Sequence, residues 1–102
     1  MDFVEFKKYE HVVECGAMLD TLVAVVERGP VWAGDIPSKV GRHELIALGL
    51  AIPTLVKGED GFTGATHQGR DVYCWYFGKS NTVKEAQAFR QAKRAMRDMK
   101  RD

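Results

Sequence analysis

A chain of 102 residues, 45% hydrophobic and 28% charged, is long enough to bury one core without a disulfide or metal, and a single domain over 1–102 is expected. A formal net charge of +1 supplies no global field toward nucleic acid or membrane, and no apolar run reaches the roughly 18 residues that span a bilayer. The opening MDFVEFKKYEHVVE lacks the apolar run of a secretory leader, so a cytoplasmic location is expected, with Cys15 and Cys74 as reduced thiols.

Residues 2–28 contain no proline and read as helix. Leu19, Leu22, Val23 and Val26 recur at the spacing of a core-facing stripe. Phe3, Phe6 and Val13 form a second stripe, roughly opposite the first if the helix is continuous. Either the helix breaks near Gly16 or one long helix serves two surfaces. Gly29-Pro30 then stops it. VWAGDIP, 31–37, is too punctuated for a full helix and reads as a short extended piece and a turn, with Trp32 packed under a β-hairpin expected further along the chain.

Ser38 is placed to cap a helix running to about Leu48, which Gly49 ends. Along it Gly41, Leu45 and Leu48 share the inward face, the glycine allowing close helix approach, while Lys39, Arg42 and His43 point outward. AIPTLVK, the turn GEDG and FTGATH read as the hairpin. QGRDVYCWYF, 68–77, admits a strand by its aromatic content or a helix by its polar lead, and the lead favours helix. Thr82 and Glu85 stand at capping-box spacing before an alanine-rich helix over about 80–101, with Phe89, Ala92, Met96 and Met99 on one stripe. The last 23 residues carry seven Lys or Arg against three acids, so the basic character sits there.

The fold class expected from these elements is α+β, mainly helical. Their order resembles a winged helix-turn-helix domain over about 17–77, of the kind found in small regulators, including prophage-encoded ones. The likeness rests on Leu19 to Gly29, on Ser38, Arg42, Leu45, Leu48, Gly49 and Leu50, on a wing at 57–62, and on Thr66, Gly69, Arg70 and Tyr73 leading into the next helix. The helix that would precede the recognition helix is reduced to AGDIP. The resemblance implies double-stranded DNA as partner, with Lys39, Arg42 and His43 in a groove and Arg90, Lys93, Arg94 and Arg97 on phosphates. The acidic GEDG and the near-neutral charge favour instead an adaptor that binds a protein partner and no nucleic acid. Phe3, Phe6 and Val13 are expected to pair with Phe89 and Met96, either within one chain as a helical hairpin or between chains in a two-fold homodimer. The homodimer is favoured because it would also present two recognition helices to successive grooves.

Catalytic and metal readings are poorer. His11 and Cys15 stand four residues apart, but His43, His67 and Cys74 complete no zinc spacing, so no metal or cofactor is expected. Phosphate-binding loops, paired carboxylates and nucleophile elbows are missing from the sequence, so no enzyme is expected. Tyr73, Trp75, Tyr76 and Phe77 read as core rather than as a base-stacking platform.

Overall fold

A computed structural model describes residues 1–99, apart from the side chains of Glu59 and Asp60. The architecture is α+β and mostly helical, with helices α1 (Phe3–Lys7), α2 (Glu10–Glu14), α3 (Gly16–Glu27), α4 (Lys39–Ala47), α5 (His67–Tyr76) and α6 (Val83–Met99). Strands β1 (Val31–Trp32), β2 (Ala51–Val56) and β3 (Glu59–Ala65) form an antiparallel sheet in the order β1-β3-β2. Among the described residues no helix is long and apolar enough to cross a membrane. The expected end of the last helix near 101 lies outside the described residues.

The first 28 residues are three helices rather than one. Cys15 adopts an extended conformation (φ −94°, ψ 114°) and Gly16 opens α3, so the break falls where the glycine suggested it. A second break at Lys8–Tyr9 separates α1 from α2. These turns cancel the opposed-stripe geometry. Val12 is fully buried, Val13 and Phe6 pack half-buried against the core, and only Phe3 remains outside.

α3 is the hub. Thr21, Leu22, Ala24, Val25 and Val26 are all buried, because α4, α5, β3 and α2 pack around this one helix. Gly41 lets α4 approach it, since a Cβ there would lie 2.9 Å from the Ala17 carbonyl oxygen. Ser38 caps α4 as expected, its Oγ accepting from the Gly41 N–H at 3.0 Å, and Gly49 closes it with φ +76°. Leu45 and Leu50 are fully buried, and the Leu50 N–H donates to the Leu45 carbonyl at 2.8 Å.

The hairpin is present, but its turn is not GEDG. Lys57 and Gly58, both with positive φ (53° and 81°), make a two-residue turn of the kind that suits the twist of a hairpin. Glu59 pairs with Val56 and Asp60 with Leu55 inside the ladder, and a bulge absorbs the extra residue before Phe62 pairs with Thr54. Val31, Thr63, Ala51 and Ala65 face the helices, while Trp32, Phe62, Thr54 and Ile52 face outward. Trp32 therefore does not lie under the hairpin. It is 49% exposed on the outer sheet face, edge-on to Phe62 at 5.3 Å.

Residues 67–76 are helical. The Thr66 Oγ accepts from the Gly69 N–H at 3.0 Å and donates to the Gly49 carbonyl at 2.6 Å, tying the start of α5 to the end of α4. Gly69 is required there, since a Cβ would overlap the Leu50 carbonyl oxygen. Tyr73 and Phe77 are core residues with rings 4.9 Å apart. At α6 the Thr82 Oγ accepts from the Glu85 N–H at 3.2 Å, and the Glu85 carboxylate accepts from the Asn81 N–H.

Candidate nucleic-acid interface

The outward face of α4 carries Lys39, Val40, His43, Glu44 and Ala47, all exposed, with Val40 at 72%. Lys39 and His43 lie one turn apart and project together, as their spacing predicts. Arg42 does not join them. It is only 9% exposed, and its Nε–H donates to the Thr63 Oγ1 at 2.7 Å, with Thr63 itself buried on β3. Arg42 lies at the border between the inward Leu45 and the outward Lys39, so its long side chain can turn either way. Turned inward, it pairs the buried Thr63 hydroxyl, where an unpaired polar group would be costly. The expected role of Arg42 as an outward base reader is corrected to a link between α4 and the sheet.

The observed turn changes the electrostatics of the hairpin tip. Lys57 occupies the two-residue tip, and the acids that were expected at the tip stand on the strand beyond it. The hairpin tip thus carries a cation that the sequence pattern had placed on a strand.

The basic face of α6 is divided. Arg90 is held inward by Glu27, its Nε–H and Nη2–H donating to the two carboxylate oxygens at 2.7 and 2.8 Å. The Tyr73 hydroxyl donates to the same carboxylate. Burial, followed by the bond to Glu27, pushes the Tyr73 phenol well above its ordinary value, and the Glu27 bond raises the Arg90 guanidinium further. Arg90 is therefore committed to an ion pair within the chain, contrary to its expected place on phosphate. Lys93, Arg94 and Arg97 remain exposed on a groove of about 570 Å³ that also takes in Leu19, Val23, Phe77 and Phe89.

Those two basic regions do not merge. α4 meets α3 at Ala17 and Thr21, whereas Leu19, Val23 and Glu27 face α6. At 100° per residue these two sides of α3 are roughly 140° apart. Lys93, Arg94 and Arg97 of α6 and the pair Lys39 and His43 thus belong to helices packed on different sides of α3.

Of the expected self-association residues, Phe3 is 64% exposed, and Phe89 and Met96 are exposed on α6. Phe6 instead packs on α5, 6.0 Å from the Trp75 ring and 6.5 Å from the Tyr76 ring, and Val13 leans on the core. Their expected place in an interface is corrected, because the breaks at Tyr9 and Cys15 turn them inward. His11 is exposed and Cys15 half-buried, and no three His, Cys, Asp or Glu side chains gather to hold a metal among the described residues. Burial raises the Cys74 thiol above its usual range, with the Asp71 and Glu85 carboxylates adding to it, which keeps the thiol protonated.

The Glu27–Tyr73–Arg90 cluster, the Lys57 tip and the outer sheet face were all missed in the sequence. The first joins residues 46 and 63 positions apart, so no local spacing could reveal it. Comparison with protein-family models, curated proteins and solved structures finds no match for this chain.

Proposed function

We propose that the chain is a small winged-helix DNA-binding regulator that contacts duplex DNA through the outer face of α4 and the tip of the β2–β3 hairpin. The observation that carries this reading is the arrangement α3, β1, α4, β2, β3 with sheet order β1-β3-β2, which leaves a capped helix and a hairpin ending in Lys57 free on one molecule. Between β1 and α4 the chain makes a single 3₁₀ turn at Ala33–Asp35, shorter than the first helix of a helix-turn-helix. His43 then takes a groove-facing polar role, Val40 offers an apolar contact of the kind that meets a thymine methyl, and Lys39 and Lys57 take phosphate. Arg42 shapes the surface from beneath.

Salt titration of binding to duplex DNA tests this reading. The logarithm of affinity should fall linearly with the logarithm of salt, and Lys39→Ala and Lys57→Ala should each lower the slope by about one, as loss of one phosphate contact does. Arg42→Ala should lower stability in urea melts by about 1–3 kcal/mol and leave that slope unchanged. Absence of binding at low salt, or a slope indifferent to both lysines, overturns the reading.

A second reading, a winged-helix-like adaptor for a protein partner, is favoured by the outer sheet face. There Trp32, Ile52 and Phe62 stand exposed together, a combination enriched in protein interfaces and of little use on a phosphate backbone. Trp32→Ala should leave DNA affinity intact under the first reading.

A further inference from the structure

We propose that the groove between α3 and α6 receives an acidic amphipathic helix of a partner protein, its apolar side on the groove floor and its carboxylates on the cations of α6. The inference goes beyond the DNA-binding reading and does not depend on it. The ion pair of Glu27 with Arg90 fixes α6 against the end of α3. Past Arg90, residues 91–99 are exposed at every position, so no element of the described chain covers that half of α6. The space beside it is the groove of about 570 Å³. Leu19 and Val23 of α3, with Phe77 and Phe89, give the groove an apolar floor. Lys93, Arg94 and Arg97 give it a cationic wall.

Charge selects the occupant. Among the described residues none of these three cations has a hydrogen bond or ion pair, although Asp20 and Asp98 line the same groove. With Arg90 held by Glu27, three cations against two acids leave the groove positive. Lys93 and Arg97 also stand one turn apart, a spacing at which like charges destabilise the helix that carries them. Carboxylates on an occupant relieve that repulsion, and further cations would add to it. The floor selects the rest. A phosphate backbone would leave Leu19, Val23 and Phe89 without an apolar cover, whereas a helix with leucines one turn apart supplies one. A cleft between two helices accepts a third by packing ridges into grooves. The occupant also steadies α6, because half a helix without packing holds poorly in water.

Fluorescence anisotropy with designed peptides of about 15 residues, the length at which a helix begins to hold in water, tests the proposal. The first peptide carries leucines on one helical face and glutamates on the other. The second has the same composition with its leucines scattered around the helix. The third has lysines in place of the glutamates. The full chain should bind the first at least about tenfold more tightly than either of the others. The double variant Arg94→Glu, Arg97→Glu alters exposed positions only, and it should lose about tenfold or more for the first peptide and gain the third. Such an exchange of preference cannot arise from a misfolded chain. Amide exchange across residues 91–99 should slow when the first peptide is added. Failure of the first peptide to bind, equal binding of the second, or a double variant that keeps its preference overturns the proposal. Displacement of the first peptide by duplex DNA would make the α6 cations a nucleic-acid surface and overturns it as well.

Discussion

At the residue scale, the chain places its charged and hydroxyl groups where neighbours already need a partner. Arg42 answers the Thr63 hydroxyl, and Glu27 collects both the Arg90 guanidinium and the Tyr73 hydroxyl. Tyr73 has no exposed surface, so its phenol holds its proton in the folded state well beyond the ordinary phenol range. The consequence for stability has a definite sign. In the unfolded chain the phenol ionises near its ordinary value of about 10, while the folded form retains the proton, so the folded state binds more protons above that pH. Unfolding free energy should therefore decline above about pH 10, by at most about 1.4 kcal/mol per pH unit from this group. Tyr73→Phe should remove that share of the alkaline decline, measured as the difference between the two proteins in urea melts across pH. Parallel curves would show that the phenol is not held protonated.

At the element scale, caps and turns decide where helices begin and how they join. Ser38 and Thr66 both accept a backbone N–H from the third residue on, but Thr66 also donates to the Gly49 carbonyl. Ser38→Ala should cost about 1 kcal/mol, the usual worth of a cap. Thr66→Ala should cost more, because a second hydrogen bond, worth about 1 kcal/mol net, goes with it. Equal losses in denaturant melts would mean that the bond to Gly49 contributes nothing. The same scale explains the misplaced hairpin turn. Glu59, Asp60 and Gly61 have low strand propensity and look like a loop, yet the Lys57–Gly58 backbone closes the hairpin in two residues and carries them into the ladder. A Cβ at Gly61 would overlap the Val56 Cγ2, so the bulge needs the glycine that made the segment look like a turn.

At the scale of the whole molecule, α3 separates two surfaces. α4 and the sheet lie on one side of it, and α6 on another, pinned by the ion pair of Arg90 with Glu27. Glu27→Gln keeps the size of the side chain and removes its charge. Breaking this charge-assisted pair should cost the docking of α6 about 1.5–3 kcal/mol. Amide exchange should rise across Val83–Met99 and stay unchanged in α4 and the sheet, as expected when one unit opens without the rest. Uniform acceleration over the chain would show that α6 and the core open together.

The features legible in the residues alone are local ones. Ser38, Thr66 and Thr82 announce helix starts because a short side-chain oxygen can satisfy the free N–H groups of a first turn. Gly29 and Gly49 announce helix ends because the chain takes positive φ there at low cost. Leu22 and Leu45 announce the core by period. Where a side chain at the border of a face turns is settled by the folded chain and by nothing short of it. The partners that fix its direction stand far off in sequence: Thr63 for Arg42, Glu27 for Arg90, Trp75 and Tyr76 for Phe6. Helical spacing sets the direction of a Cα–Cβ bond, but a long side chain ends wherever an unsatisfied group or an apolar surface waits for it.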